Sequence, residues 1–155
     1  VGGDERNHLD EIRTLARELE IADRIRILGP LHGPDKHGAF AAADLFVLPT
    51  LSENFGIVVV EALGAGLPVL TTRAAPWAEL EAQRCGWSVD PTVAGLTEGM
   101  REATRRSELE LEAMGRRGRR LVEQTYVWSR IAPMTIDLSE WLLGKRAQPH
   151  IARTE

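Results

Sequence analysis

Residues 51–72 read LSENFGIVVVEALGAGLPVLTT, and two local structures compete for the middle of this stretch. Ile57-Val58-Val59-Val60 is β-branched and by propensity favours a strand. Ala62, Leu63 and Ala65 favour a helix, Gly66 is placed to end one, and Pro68 opens a second apolar run, PVLT. The preceding residues decide between them. Asp44 opens DLFVLP, an apolar run closed by proline that reads as a buried parallel strand. Parallel strands need a crossover between them, so a helix is predicted over about residues 56–65.

The same alternation extends outward. Leu9, Ile12, Leu15, Ala16 and Leu19 recur at spacings of three and four, predicting an amphipathic helix from Asp4 to Ile21 with an acidic start. Arg26-Ile27-Leu28 reads as a short strand stopped by Gly29-Pro30, and HGPDKHG as a turn-rich connection to a small-residue helix near Ala39–Ala43. Beyond PVLTT, Trp77 to Ala82 reads as a short helix and Gly86 to Val89 as an edge strand. Helices follow at about 93–106 and 108–124, with Glu102/Arg106 and Glu112/Arg116 spaced for ion pairs. A last helix carries Ile131, Met134, Ile136, Leu138, Trp141 and Leu142, and the polar tail, 144–155, is expected to lack order. The register predicts an α/β fold: a Rossmann-like three-layer sandwich around a mostly parallel sheet.

Composition narrows the function. The chain has 155 residues, enough for one core, with 43% apolar and 27% charged residues. A net charge of -4 gives no reason to expect nucleic acid or an anionic membrane as the main partner. Cys85 is a single cysteine, which fits a reducing compartment and reads as a small buried residue. His8, His32, His37 and His150 are scattered, so no His/Cys metal cage is expected. No stretch approaches the roughly 20 apolar residues that span a bilayer, and no signal peptide is read. The opening Val1-Gly2-Gly3 reads as the end of a strand, so the chain is expected to be an excised piece whose first strand is truncated.

In open α/β sheets, ligands bind beyond the carboxyl ends of the strands, where SENFG falls. The N–H groups of a helix N-terminus around Phe55, Gly56 and Ile57 would suit an anion such as a diphosphate, and Gly56 would admit it close to the backbone. Glu53 precedes that helix and Glu61 lies about one turn inside it. Carboxylates repel phosphates, so their partners would be hydroxyls, one set on a sugar and one on a ribose. Singly, Glu53 reads as a dipole-stabilising residue and Glu61 as a solvated one. Together, with Glu61 flanked by Val60 and Ala62 in an otherwise apolar helix, they favour function.

Glu53-Asn54-Phe55-Gly56-Ile57-Val58-Val59-Val60-Glu61 resembles the E-x7-E motif of retaining glycosyltransferases of the GT-B fold, notably the large family 4. The likeness continues through AAADLFVLPTLSENFGIVVVEALGAGLPVLTT, and RIRILGPL, CGWSV, LEAMGRRGR and YVWSRIA fit it too, covering about residues 1–143. It implies the nucleotide-sugar-binding C-terminal half of such an enzyme, whose N-terminal acceptor domain is absent from this chain. Glu53 would contact hydroxyls of the transferred sugar and Glu61 the ribose. Gly2 and Gly3, with the N–H groups of Asn54, Phe55, Gly56 and Ile57, would reach the sugar and diphosphate. Such enzymes use no metal and no further cofactor; helix N-termini and basic residues stabilise the leaving diphosphate. Retention would proceed by front-face attack, the donor phosphate helping to deprotonate the acceptor. The implied setting is cell-surface polysaccharide, lipopolysaccharide or glycolipid synthesis, in the cytoplasm or at the inner face of the membrane.

Two departures stand out. The family's arginine–lysine pair that clamps the diphosphate would precede Val1, and Ala74-Ala75-Pro76-Trp77 stands where many members have a Gly-Gly pair. That second change either alters the donor pocket or caps the next helix. Arg116, Arg117, Arg119 and Arg120 read as a solvated helix face balanced by glutamates, with a membrane surface or lipid-linked acceptor as the functional alternative. Trp128 and Trp141 read as packing residues, in a helix over about 128–143 that would cross to the absent domain. The competing functions are a non-catalytic nucleotide-binding scaffold, a GT-B nucleotide-sugar epimerase domain, and, more weakly, a Rossmann oxidoreductase, for which no G-x-G-x-x-G opens a helix here.

Overall fold

The computed structural model describes residues 8–152. The chain divides into two compact units, residues 1–41 and 42–155. In the first, α1 (His8–Glu18) carries Asp10 and Glu11 in its first turn and Arg17 in its last, each sign at the end its dipole favours. A 3-10 turn follows at Ala22–Arg24. Arg26-Ile27-Leu28, expected as a strand, forms none among the described residues, and Ile25, Ile27 and Leu28 lie exposed. A strand exists only where a neighbour takes its backbone groups, and the apolar run alone cannot supply one. The connection HGPDKHG is largely helical instead: α2 spans Gly33–Ala41, with Pro34 and Asp35 in the first turn, where a missing N–H and a negative charge both suit a helix start.

Among its described residues the second unit holds three parallel strands in the order β1 (Phe46–Leu48), β2 (Val69–Thr72), β3 (Gly86–Val89). All four residues of β2 are buried, whereas β1, expected to be buried, is half-buried at one edge of the sheet and β3 lies at the other. The register pairs Val47 with Leu70 and Leu70 with Trp87, so these side chains share a face. On that face packs α5 (Val93–Thr104), whose Gly99 lies against Leu70 and Val89. The crossovers α3 (Ile57–Gly64) and α4 (Glu79–Ala82) connect successive parallel strands and, with right-handed connections, share the other face. The α/β fold with a parallel sheet is therefore the one expected. The contest over Ile57–Val60 is settled for helix, and α4 starts at Glu79, two residues later than its predicted start at Trp77.

Local signals account for the ends. Gly66 takes φ +88, its N–H reaches the Leu63 carbonyl, and the Leu67 N–H reaches that of Ala62, which closes α3 in a Schellman motif. Thr92 caps α5, and Ser107 with Glu110 forms a capping box on α6 (Glu108–Thr125). The predicted ion pairs form, Arg106 to Glu102 at 2.8 Å and Arg116 to Glu112 at 3.3 Å. Helix α7 (Trp128–Leu142) buries no residue completely; Trp128, expected to pack, is 80% exposed. The tail, expected without order, contains a 3-10 turn at His150–Ala152 whose last carbonyl accepts from the Gln148 side chain. Among the described residues no helix is long and apolar enough to cross a membrane.

What places α3 is its contact with α6. A Cβ on Gly115 would lie 1.8 Å from the Gly66 carbonyl oxygen, and one on Gly118 would lie 2.6 Å from Leu63 Cδ2. Helix α6 thus presents bare backbone to the end of α3, a separation no larger residue permits. Gly115→Ala must displace main chain rather than a side chain, and is expected to cost about 3 kcal/mol in urea unfolding, at the upper end of overpacking penalties. Gly64→Ala, whose Cβ would meet only Val122 at 3.7 Å, should leave stability within about 1 kcal/mol.

Candidate functional site

The turn between β1 and α3 is shaped by donors that seize its carbonyls. Thr71 and Thr72, buried at the carboxyl end of β2, donate their hydroxyls to the carbonyls of Leu48 (3.0 Å) and Thr50. Thr50 in turn donates to the Ser52 carbonyl at 2.8 Å. The Trp77 indole N–H takes the Phe55 carbonyl. The base of the turn is therefore stitched to β2 and to the segment before α4.

Gly56 ends the turn at φ +77, ψ 63, a left-handed conformation that favours glycine, and as the N-cap it offers no capping side chain. The Val59 N–H bonds to the Gly56 carbonyl at 2.8 Å, while the first N–H groups of α3, on Ile57 and Val58, have no place in the helical ladder. A Cβ at Gly56 would sit 3.3 Å from Glu53, Trp77 and Val59 alike.

The structure brings Glu53, Asn54, Phe55, Gly56, Ile57 and Glu61 together on this one turn and the start of α3, at the carboxyl edge of the sheet. Glu53 and Glu61 are half-buried, Asn54 and Ile57 exposed. The Glu53 carboxylate accepts from the Phe55 N–H at 3.3 Å, so it is held by its own turn and that N–H is already engaged. The N–H groups of Asn54, Gly56 and Ile57 are not engaged within the turn; Asn54 and Ile57 are exposed and Gly56 is buried. Gly2 and Gly3 lie outside the described residues.

Sequence reasoning missed an aromatic cluster beneath the turn. Phe55 packs against Trp77 and Tyr126 with ring centroids 5.4 and 5.8 Å away, and Trp77 lies 5.4 Å from Tyr126. Trp77 is 1% exposed, whereas Phe55 keeps 41% of its surface. The Tyr126 hydroxyl donates to Glu79 at 3.3 Å, and burial together with that carboxylate pushes its pKa up. Of Ala74-Ala75-Pro76-Trp77, none is the N-cap of α4, which is Ala78 without a side-chain cap bond, and Trp77 is part of the foundation of the turn. The signal was a tryptophan immediately after proline beyond a β-strand end, which spacing alone does not connect to a residue 22 positions earlier.

The remaining candidates behave as ordinary structure. Arg116 pairs with Glu112, Arg119 with Glu123 at 3.1 Å, and Arg117 donates to the Arg84 carbonyl at 2.8 Å. Cys85 is fully buried, and burial raises its thiol pKa to about 11, which makes it unreactive. Among the described residues no group of His, Cys, Asp and Glu is arranged to hold a metal.

Comparison with known proteins agrees with this architecture. Residues 1–121 match the family model of the glycosyl transferases group 1. The chain belongs to that family. It is 32% identical over 149 residues to a D-inositol 3-phosphate glycosyltransferase of Saccharomonospora viridis, covering 89% of this chain and 33% of that protein. It is 27% identical over 137 residues to one component of the human phosphatidylinositol N-acetylglucosaminyltransferase, covering 87% of this chain and 28% of that protein. Among solved structures, WaaG, a glycosyltransferase involved in lipopolysaccharide biosynthesis, matches with TM-score 0.69 at 27% identity, covering 83% of this chain and 34% of WaaG. Sucrose-phosphate synthase from Thermosynechococcus elongatus shares the fold, with TM-score 0.77 at 23% identity over 94% of this chain and 38% of that one. The chain thus spans about a third of the length of the relatives it matches.

Two measurements check this geometry. Thr72→Val removes the hydroxyl held on the Thr50 carbonyl without changing shape, and should lower unfolding free energy by about 1–2 kcal/mol. Because the folded state holds the Cys85 thiol protonated up to about pH 11 and the unfolded chain releases that proton near its ordinary value of 9.0, stability should fall as pH rises between those values. Below pH 9.0 the contribution is fully present, and a Cys85→Ala chain should lack this slope in alkaline thermal melts.

Proposed function

We propose that this chain is the donor-binding half of a retaining glycosyltransferase, taking a nucleotide-diphosphate sugar on the turn between β1 and α3. The observation that supports it most is the placing of two carboxylates, Glu53 and Glu61, on either side of the Asn54–Ile57 turn and helix start, in a chain of the glycosyl transferases group 1 family. Here the E-x7-E spacing acquires a physical sense. Glu53, held by the Phe55 N–H, faces hydroxyls of the transferred sugar; Glu61, one helical turn in, faces the ribose. The N–H groups of Asn54, Gly56 and Ile57 receive the sugar and diphosphate oxygens, and the start of α3 favours negative charge as the diphosphate departs. The transfer needs no metal or other cofactor in this reading.

The acceptor is held by the N-terminal domain of the complete enzyme, of which these residues supply the donor side. Relatives named for D-inositol 3-phosphate, phosphatidylinositol and lipopolysaccharide biosynthesis support an acceptor in glycolipid or cell-surface polysaccharide assembly, at the inner face of a membrane. Front-face attack by the acceptor, with the donor phosphate taking its proton, gives retention.

Isothermal titration with UDP-glucose, GDP-mannose and ADP-glucose tests the donor site. One of them should bind weakly to this chain, and Glu61→Ala should weaken it about tenfold, the loss of a charge-assisted hydrogen bond. Glu53→Ala should weaken the nucleotide sugar but not the bare nucleotide. No transfer of sugar is expected from the 155 residues alone, so measured turnover would count against the division of labour proposed here.

A further inference from the structure

Trp77 spends its one polar group, the indole N–H, on the carbonyl of Phe55 while its ring is buried. We propose that Trp77 is a positioning residue for the donor: it locks the Phe55–Gly56 peptide with the Gly56 N–H facing the ligand. The inference rests on the donor reading above and deepens it.

The reason is stereochemical. A trans peptide carries its carbonyl oxygen and its amide hydrogen on opposite sides, and no cis peptide occurs among the described residues. A Phe55 oxygen aimed at the buried indole therefore sends the Gly56 N–H the other way, away from the indole, in a residue that is itself buried. The same rule acts lower in the turn, where Thr72 and Thr50 hold the carbonyls of Thr50 and Ser52 and so direct the N–H groups of Leu51 and Glu53.

Glycine makes the 55–56 peptide different from these. Flipping a peptide plane mainly changes ψ of the first residue and φ of the second, and glycine accepts φ of either sign. Nothing in the backbone preference of Gly56 holds it at φ +77. A flipped plane would present a carbonyl oxygen to an incoming sugar diphosphate in place of an N–H, turning attraction into repulsion. The Phe55 ring, packed on Trp77 and Tyr126, anchors a side chain rather than a plane direction. Only the indole N–H reads that direction, and a flip would leave it buried and unsatisfied.

The test replaces the donor atom and keeps the ring. Trp77→Phe, or benzothienylalanine at the same position to preserve the full indole outline, is compared with Trp87→Phe, a tryptophan on β3 that packs in the core beside Leu70, away from the turn. Each is titrated with UDP-glucose, GDP-mannose, ADP-glucose and the matching nucleosides, and amide exchange is followed in ligand-free protein. Loss of the indole N–H at position 77 should weaken the nucleotide sugar about tenfold while sparing the nucleoside, the scale of one lost hydrogen bond. Exchange should quicken at Gly56–Val58 and stay unchanged in β2, and Trp87→Phe should bind as the unsubstituted chain does. Unchanged nucleotide-sugar affinity in both position-77 proteins would overturn the proposal, as would equal losses for sugar nucleotide and nucleoside. If the unsubstituted chain binds none of the three nucleotide sugars, the donor reading fails first, and this inference falls with it.

Discussion

The carbonyls of Leu48, Thr50, Ser52 and Phe55 all point to side-chain donors, and the rest of the site depends on that. A loop at a sheet edge has as many backbone donors as acceptors, and both must be satisfied. Here the acceptors are consumed inside the protein by Thr71, Thr72, Thr50 and Trp77. Some donors are taken as well, the N–H groups of Thr50, Ser52 and Phe55 by the Leu48 carbonyl, the Thr50 hydroxyl and the Glu53 carboxylate, whereas those of Asn54, Gly56 and Ile57 are not. The turn itself contains no lysine or arginine, so the proposed anion site would rest on backbone N–H groups.

That division needs a rigid base, and the packing supplies it. Strand β2 is buried along its whole length, so Thr71 and Thr72 are fixed points. Helix α3 is pinned from below by the bare backbone of α6 at Gly115 and Gly118, which sets where its first turn emerges. The aromatic group of Phe55, Trp77 and Tyr126 ties the turn to the segment before α4 and to the end of α6. Three elements, β2, α6 and the segment before α4, therefore converge on six residues. Small displacements of any of them would reach Glu53 and Gly56 directly.

The family relationship and the geometry carry different parts of the functional reading. Membership in the glycosyl transferases group 1 family rests on a match across residues 1–121. The roles proposed for Glu53 and Glu61 rest on the resemblance to the E-x7-E motif and on where the turn places them, both half-buried. Glu53 also satisfies the plainer description of a local stabilising residue, since it accepts from the Phe55 N–H. The two descriptions are compatible: a carboxylate held by its own turn is already oriented for a hydroxyl.

Much of this was legible in the sequence, wherever a signal is local. The helix at Ile57–Gly64 followed from the need for a crossover between two apolar runs, and its end from Gly66. The ion pairs of α5 and α6 followed from spacing, and the buried Cys85 from its lack of partners. Arg26-Ile27-Leu28 failed as a strand because strand formation is decided by a neighbour, and HGPDKHG became largely helix because Pro34 and Asp35 suit a first turn as well as a loop. Only the tertiary structure could join Thr72 to Thr50 or Trp77 to Phe55, since a hydrogen bond across 22 residues leaves no period in the chain. The sequence by itself determined which residues could serve an anion and a pair of hydroxyl sets. The folded structure decided which way their backbone faces, because peptide direction depends on donors brought in from elsewhere.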